Sequence, residues 1–361
     1  MKEMSNKRSP PPLSSHFAAS QQSVAVPPTA SLGSRRAGSL SRLTQEQIVF
    51  GVAILLIVAF SITLRGFATL GNAIALVNSV AVVGILSLGA AVVIIGRGLD
   101  LSQVAAMVVG AAVAALMMHN GFALGWALVG GLATTTLIGL INGFVIAFVE
   151  VPALFATLAT NLLILGLARI IVFSGDFRIY LPKAEAATAF RTLGGVVGGV
   201  PIPILVFLGM ALLIHLLLSR TRIGRLIYAH GDNPQAARES GVAVRPLTII
   251  EYVLCADIGF IAGLVLTASL GDADAQIITG PMICDVILVT VLGGVSLVGG
   301  RGSVYCVLAG SLLIGVILNG MTLMNLNNDI QNIVRGLVLL GAIVLDNRLH
   351  PRDEETARQG E

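Results

Sequence analysis

The sequence predicts an all-α polytopic membrane protein, and three observations support this class. Hydrophobic residues make up 55% of the 361 residues and charged residues only 11%, a balance that cannot supply the hydrated surface of a soluble domain. The apolar residues form long runs close to the roughly 20 residues that a helix needs to cross a bilayer. The formal charge of +3 is small and lies in loops and tails, which indicates membrane topology rather than nucleic-acid binding.

A membrane domain is predicted at residues 47–348, between a disordered N-terminal tail at 1–46 and a C-terminal tail at 349–361. The first tail is rich in Ser and Pro and lacks periodicity. The first apolar run lies too far from the N-terminus for a signal peptide and should remain as a helix. Ten spanning segments are predicted: 47–64, 72–96, 101–118, 123–149, 153–173, 201–218, 247–269, 283–299, 303–324 and 329–346.

Two junctions between these segments are very short. Residues 97–100 separate the second and third segments, and residues 300–302 separate the eighth and ninth. Either junction could therefore be a broken or re-entrant helix instead of a simple hairpin.

The charges of the loops predict the orientation. An even number of segments places both tails on one side, and the positive-inside rule assigns that side to the cytoplasm together with the arginine-rich loop 219–245. The loop 270–282 contains two aspartates and no Lys or Arg, so we expect it outside. The loop 174–200 also falls outside although it contains three basic residues, and it is the one exception.

The loop 219–245 is a basic polar stretch between two long apolar blocks, and it contains the signals of one short helix. Asn233 is the expected N-cap, Pro234 the first helical residue, residues 235–240 the body, and Gly241 the stop. A free helix of this length is marginal in water, so we expect it to dock against a cytoplasmic partner. The small residues that would form the packing surface are Ala236, Ala237 and Ser240.

Ionisable groups inside apolar segments each cost roughly 3 kcal/mol at a helix centre and need a reason. They are Asp100, Glu150, Arg169, Glu251, Asp257, Asp285, Asp329 and Arg335. Asp100 either N-caps the third segment, with Gln103 at the capping-box position, or lines a pathway. Asp257 lies near the middle of its segment and either pairs with a partner such as Arg335 or faces a water-filled path. The residues expected along a translocation pathway are Asp100, Asn142, Asp257 and Asn319.

A short internal repeat links the fourth and ninth segments. The fourth contains LIGLINGF (137–144) and the ninth contains LIGVILNGM (313–321). These two segments run in opposite directions in the ten-segment arrangement, which would suit inverted repeats of segments 2–5 and 7–10. Chance similarity in a chain rich in Leu, Ile and Gly is the alternative.

Catalytic and metal-binding signatures are absent from the sequence. The three lysines, at positions 2, 7 and 183, do not follow a Gly-rich turn, so the chain has no Walker A loop of its own. Neither HExxH nor GxSxG occurs, and the cysteines lack metal-ligand spacing. We therefore expect neither an enzyme nor a metal or cofactor on this chain.

Four separated motifs resemble the permease subunits of bacterial monosaccharide ABC importers of the ribose, arabinose and galactose type. They are GRGLDLS (96–102), the stretch 142–175 beginning NGFVIAF, IGRLIYAHGDNPQAARESGV (223–242) and VLGGVSLVGGRGS (291–303). The resemblance spans about residues 47–348. It implies a multi-pass protein of the bacterial inner membrane with the type II fold of the vitamin B12 importers.

The resemblance also implies partners. These are a second permease copy, a periplasmic sugar-binding protein, and a cytoplasmic ATPase that holds the ATP and Mg. In this family the GDNPQAARESG region touches the ATPase, which assigns coupling to Gly231, Asp232, Asn233, Pro234, Ala236, Ala237, Ser240 and Gly241.

Three departures from the family pattern leave the substrate open. Arg97 stands in GRGLDLS where the family usually has GGIDLS, Ile283 stands where an acid is often found, and Asp257 stands where the family is usually apolar or small. A monosaccharide or related polyol is the expected substrate, and a nucleoside or a branched-chain amino acid is the alternative. A proton-coupled secondary transporter acting through Asp257 and Glu251 is the alternative from another class.

Overall fold

A computed structural model describes residues 44–183 and 185–349 of the chain. Residues 1–43 of the predicted N-terminal tail and residues 350–361 of the predicted C-terminal tail lie outside the described residues. The helices are α1 (Gln45–Thr63), α2 (Leu70–Ile95), α3 (Gln103–His119), α4 (Leu124–Phe148), α5 (Ala153–Ile171), α6 (Glu185–Arg191), α7 (Ile202–Arg220), α8 (Arg222–Asp232), α9 (Pro234–Glu239), α10 (Val244–Leu270), α11 (Met282–Gly293), α12 (Val304–Leu323) and α13 (Asn328–Leu349). The strands are β1 (Arg178–Tyr180), β2 (Val196–Val197), β3 (Val200–Pro201) and β4 (Asp272–Asp274).

A helix forms in each of the ten apolar segments. Seven helices of the described chain are long and apolar enough to cross a membrane: α1, α2, α4, α5, α7, α10 and α12. Two apolar helices are shorter, α3 with 17 residues and α11 with 12 residues. The protein is therefore a polytopic helical membrane protein.

The all-α class is confirmed, but two predicted boundaries were wrong. The first helix begins at Gln45, because Thr44 and Gln47 form a capping box in the segment predicted as tail. The eighth segment was predicted to run to residue 299, but α11 ends at Gly293, where Gly294 adopts a φ of 109°. Two small antiparallel sheets, β1 with β4 and β2 with β3, occur in the loops.

The core lies around α2 and α10. The most apolar window of α2 is 83% buried, whereas that of α1 is 11% buried, so α2 is central and α1 peripheral. Helix α10 packs against α2, α3 and α4, and α12 packs against α1, α2 and α11. Gly139 and Gly143 permit the approach of α4 to α10, because a Cβ at either position would lie 2.6 Å from a Cα atom of α10.

The connections gather at two ends of the bundle. At the first, which we call the α9 end, α8 contacts the end of α2 and the irregular segment 294–303, and α9 follows α8. The hydroxyl of Ser303 also donates to Glu46 at the start of α1, at 3.1 Å. At the second, which we call the sheet end, β1 from the α5–α7 connection pairs with β4 from the α10–α11 connection.

Candidate functional site

The predicted short helix is present, and its caps are confirmed. Helix α9 begins at Pro234, and the side-chain oxygen of Asn233 accepts a hydrogen bond from the backbone N–H of Ala236 at 3.0 Å. Gly241 follows the C-cap with a φ of 85°, a backbone conformation that glycine adopts without strain. The helix is thus fixed at both ends by its own sequence.

Helix α8 was not predicted, although it carries a recognisable start signal. The hydroxyl of Thr221 accepts from the backbone N–H of Gly224 at 3.1 Å and caps the helix. Ile227 is buried on one face while Arg225 is exposed on the other, which is an amphipathic pattern. The arginine-rich composition concealed this pattern. Helices α8 and α9 together replace the single short helix that we expected.

The predicted packing surface of α9 is partly wrong. Ala237 is only 5% exposed, and its carbonyl accepts a hydrogen bond from the N–H of Val242 at 3.0 Å, so it faces the protein itself. Ala236 and Ser240 remain exposed. The side of α9 that is free to meet a partner is therefore carried by Ala236 rather than by Ala237.

Helix α8 packs closely against the membrane core at Gly231. A Cβ added there would collide with the carbonyl oxygen of Ile95, at the end of α2, and would lie 2.6 Å from the backbone nitrogen of Gly300. That nitrogen also donates to the same carbonyl at 2.8 Å. A displacement of α9 would therefore reach both the end of α2 and the segment 294–303.

A second contact ties α8 to the start of α12. The Tyr228 hydroxyl donates to the carbonyl oxygen of Gly302 at 2.7 Å. Burial raises the pKa of Tyr228 above its ordinary value, and the nearby Cys306 adds to this effect. The hydroxyl thus stays protonated and remains a donor at physiological pH.

Two of the predicted pathway residues lie together in one buried network. Asp100 Oδ1 accepts from the backbone N–H of Ser102 at 2.9 Å and from its hydroxyl at 2.7 Å. The Asn142 side chain on α4 donates to the same hydroxyl at 2.7 Å. The capping-box prediction for Asp100 was wrong, because the side chain of Gln103 instead donates to the carbonyl oxygen of Leu86 at 2.8 Å. The network holds α3 against α4.

Asp257 is half-buried on α10 and is held by two threonines of α4. Its Oδ1 accepts from the hydroxyls of Thr135 and Thr136, both at 2.9 Å. The proposed pairing with Arg335 was wrong, because the Nε of Arg335 donates to Asp285 at 2.8 Å. Thr135 lies two helical turns from Asn142 along α4, so Asp257 belongs to the same side of the core as the buried network.

Asn319 lies apart from these residues. Its side-chain amide pairs reciprocally with that of Asn72 on α2, with distances of 2.8 and 3.0 Å between the donor and acceptor atoms. This pair joins α12 to α2, and within the described residues it forms no hydrogen bond with the α3–α4–α10 group. Sequence reasoning missed the partners Ser102, Thr135 and Asn72, because short polar side chains in an apolar run carry no signal of which helix they will face.

The fold defines a multi-pass membrane protein with a short, capped and largely exposed helix at one end. The chain belongs to the family described as branched-chain amino acid transport system / permease component, which matches residues 72–343. This assignment agrees with the prediction that the chain is a transport component and not an enzyme. The family resemblance that the motifs indicated is confirmed.

Curated relatives cover most of the chain. The ribose import permease protein RbsC of Escherichia coli K12 is 33% identical over 299 residues, which is 82% of this chain and 92% of that protein. The L-arabinose transport system permease protein AraH of the same organism is 32% identical and covers 85% and 92%. The xylose/arabinose import permease protein XylH of Sulfolobus acidocaldarius is 33% identical and covers 59% and 58%. No solved structure matches the chain.

Proposed function

We propose that this chain is the membrane subunit of an ATP-binding cassette importer that carries a monosaccharide or a related polyol across the bacterial inner membrane. The relatives described above are permeases named for ribose, arabinose or xylose. The structural observation that carries the proposal is the exposed, capped α9, which α8 fixes to the end of α2 through Gly231. A membrane protein that receives force from a cytoplasmic ATPase needs such an element.

The proposal includes three partners. A cytoplasmic ATPase would contact α9 and would hold the ATP and Mg, since this chain has no Walker A loop. A periplasmic substrate-binding protein would deliver the sugar at the sheet end. A second permease copy would complete the transport unit.

The proposed orientation places the α9 end and both tails in the cytoplasm. The α9 end combines the arginine-rich residues of α8 and α9 with Arg97 and the start of α1, as the positive-inside rule requires. The exceptional basic loop at the sheet end fits this orientation, because Arg178 contacts Asp274 at 2.9 Å and Asp272 at 3.6 Å. In a chain that carries Cys284→Ser, an impermeant thiol reagent applied outside should label a cysteine at the exposed position 176 of the sheet end and miss one at position 233. Labelling of both would contradict this topology.

The packing of the helices supports ten spans arranged as inverted repeats. Helix α4 packs against α3 of its own half and α10 of the other half, just as α12 packs against α11 of its own half and α2 of the other half. The two halves are antiparallel, since α2 ends at the α9 end whereas α10 begins there. We propose on this basis the type II fold of the vitamin B12 importers. An experimental structure of the dimer in which the two halves do not superpose would contradict it.

We propose that Asp257 faces the translocation pathway, whereas Asp100, Asn142 and Asn319 position the helices around it. Asp100 and Asn142 are buried and bonded to Ser102, but Asp257 is half-exposed. A carboxylate held by two threonine hydroxyls can still accept hydrogen bonds from the hydroxyls of a sugar. Asp257→Asn should change substrate preference at normal protein level, and unchanged uptake of every sugar would exclude this role.

The proposed coupling mechanism depends on the contact of α8 with the end of α2. Closure of the ATPase dimer on ATP would displace α9, and the Gly231 contact would pass that displacement to α2 and to the segment 294–303. These elements border the core that contains Asp257, so the pathway would open alternately to each side.

The test of the proposed function is Ala236→Arg, which enlarges the exposed side of α9 without touching the membrane core. We expect normal abundance, weaker co-purification with the ATPase, and a drop of at least about tenfold in the uptake of radiolabelled ribose, arabinose or xylose, because loss of a docked interface costs more than about 1.4 kcal/mol. Ala123→Arg is the matched control for the co-purification measurement, since Ala123 is exposed beside the start of α4, away from α9.

Three outcomes would contradict parts of the proposal. Wild-type uptake by Ala236→Arg would show that α9 is not the coupling element. Uptake of leucine or a nucleoside in place of the sugars would favour the alternative substrates. Uptake that survives ATP depletion and collapses with an uncoupler would indicate a proton-coupled carrier.

A further inference from the structure

A cavity of about 380 Å³ lies at the α9 end, beside the contact of α8 with the end of α2. The turn after α2, the turn between α4 and α5, the helices α8 and α9, and the start of α10 form its wall. Its volume is within the range of small-molecule sites. The proposed coupling mechanism does not use this cavity.

The mouth of the cavity is basic. Arg97, Arg238 and Arg245 line it, and all three are exposed. Arg245 contacts Glu150 at 3.0 Å, but 52% and 69% of these side chains are exposed, so this pair is weak. Arg97 and Arg238 form no ion pair with the residues that the structure describes. The mouth therefore holds two guanidinium groups that are free to bind an anion.

Helix termini add to this positive potential. The first residues of α5 and α10 both line the cavity, and neither helix has a side chain that caps its N-terminus. The N-terminal ends of such helices carry partial positive charge, although at α10 the N–H of Val244 donates to the carbonyl oxygen of Val242 at 2.9 Å and Pro246 has no N–H. Two long helices thus direct their positive ends toward the same space as the arginines.

The floor of the cavity has a different chemistry. Glu251 is 1% exposed and His230 is 9% exposed, and the gap between Glu251 Oε1 and His230 Nδ1 is 3.7 Å, too long for a hydrogen bond. Neither atom has a hydrogen-bond partner among the described residues. The two atoms face each other and are shielded from solvent, but both residues line the cavity. A hydroxyl group that hydrogen-bonds to both would separate the two side chains and would relieve the cost of burying polar atoms without partners.

We propose that this cavity binds a phosphorylated polyol. The phosphate lies at the arginine-lined mouth, and the hydroxyl groups reach Glu251 and His230 at the floor. A simple anion would leave the floor unpaired and would meet the Glu251 carboxylate, whereas a neutral sugar would leave the arginines unused. A soluble sugar phosphate and the glycerophosphate head group of an anionic lipid share this chemistry.

Such a ligand would bridge α9 and the core, because Arg238 belongs to α9 and Arg97 to the turn after α2. Bridging would restrain the displacement that coupling needs, so a phosphorylated product inside the cell would slow import. This regulatory consequence rests on the proposed function, whereas the binding itself does not.

Binding is tested on the full-length chain in phosphatidylcholine nanodiscs by titration calorimetry with glucose 6-phosphate, without a transport assay. Glucose and inorganic phosphate are the comparison ligands, and we expect both to bind more weakly. Arg97→Gln should weaken glucose 6-phosphate on the order of tenfold or more, the effect of losing a charged hydrogen bond. Arg225→Gln is the matched control, because Arg225 is exposed on α8 and does not line the cavity.

A second arm separates the two sources of the ligand. Nanodiscs that contain phosphatidylglycerol should raise the melting temperature of the wild-type chain, but not of Arg97→Gln, if the lipid head group occupies the cavity. The proposal is overturned if neither glucose 6-phosphate nor phosphatidylglycerol acts, or if Arg97→Gln responds as the wild type does. Arg97-dependent binding of the ATPase alone, with no effect of either phosphate compound, would assign the cavity to an acidic protein partner and would also overturn it.

Discussion

The charged groups near the two ends of α10 differ in whether they have partners. At the sheet end, Asp272 and Asp274 follow the helix directly, and both contact Arg178 on β1. At the α9 end, the start of α10 borders the cavity where Arg97 and Arg238 form no ion pair with described residues and Glu251 has an unpaired oxygen.

At the sheet end the charged groups of β1 and β4 are paired with each other. The adjacent Asp274 raises the pKa of Arg178, with Tyr180 and Asp272 acting in the same direction, so the guanidinium stays charged over the whole physiological range. The strands β1 and β4 fix these groups in register. The comparison indicates that the charges of the sheet end hold two connections together, whereas those of the α9 end are left available for partners and ligands.

The largest effect on stability is expected from Gly231→Ala, which would disrupt the contact of α8 with the end of α2. A methyl group there meets the backbone of Ile95 and Gly300, and overpacking against backbone that cannot move aside costs about 3 kcal/mol. We expect a lower melting temperature of the purified chain and loss of sugar uptake.

Gly209→Ala on α7 is the control for that change, since a Cβ at position 209 meets no atom within 4 Å. It should be neutral or slightly stabilising, because Ala favours a helix over Gly. Equal melting temperatures of the two variants would show that α8 does not pack closely against the end of α2.

An intermediate effect is expected from Asp274→Ala at the sheet end. The mutation removes the charged hydrogen bonds from Arg178 and the bond that Asp274 accepts from the backbone N–H of Gln276 at 2.8 Å. The expected loss is about 2 kcal/mol of unfolding free energy. Asp176→Ala changes an exposed aspartate of the α5–α7 connection, which carries β1, and it should change the melting temperature little. A similar loss in both variants would mean that the sheet end is not held by this contact.

The smallest effect on stability is expected from Asn233→Ala, which removes the N-cap of α9 at a cost of about 1 kcal/mol. Asn327→Ala removes a comparable bond, since the Asn327 side chain accepts from the N–H of Ile330 at 2.9 Å beside α13. Both variants should lose similar stability, but only Asn233→Ala should reduce ATPase co-purification and uptake. Equal uptake by the two variants would argue against a special role of α9.

Several features were predictable because they depend on neighbouring residues only. The membrane class and the ten helical segments follow from hydropathy, which is summed along the chain. The caps of α9 follow from Asn233 and Gly241, each within a few residues of the backbone groups it affects. The coupling assignment came from the family resemblance and not from these local signals.

The tertiary structure decided which distant residues meet. Asp257 could have paired with several basic residues, yet packing placed it against threonines more than a hundred positions away. Ala237 looks in the sequence like a member of the same small side as Ala236, but docking of α9 on the core buries one and leaves the other exposed.

The sequence by itself determined that this is a helical membrane protein with a capped helix displayed in a basic loop, because hydropathy and capping act over a few residues. It did not determine the contact of α8 with the end of α2 or the cavity beside that contact. Gly231 is adjacent to Ile95 and Gly300 only after three separate connections meet at one end of the bundle. The cavity likewise combines the turn after α2 with residues of α8, α9 and α10. Such contacts depend on how whole helices pack, and helix packing is set by the shape of every side chain between them.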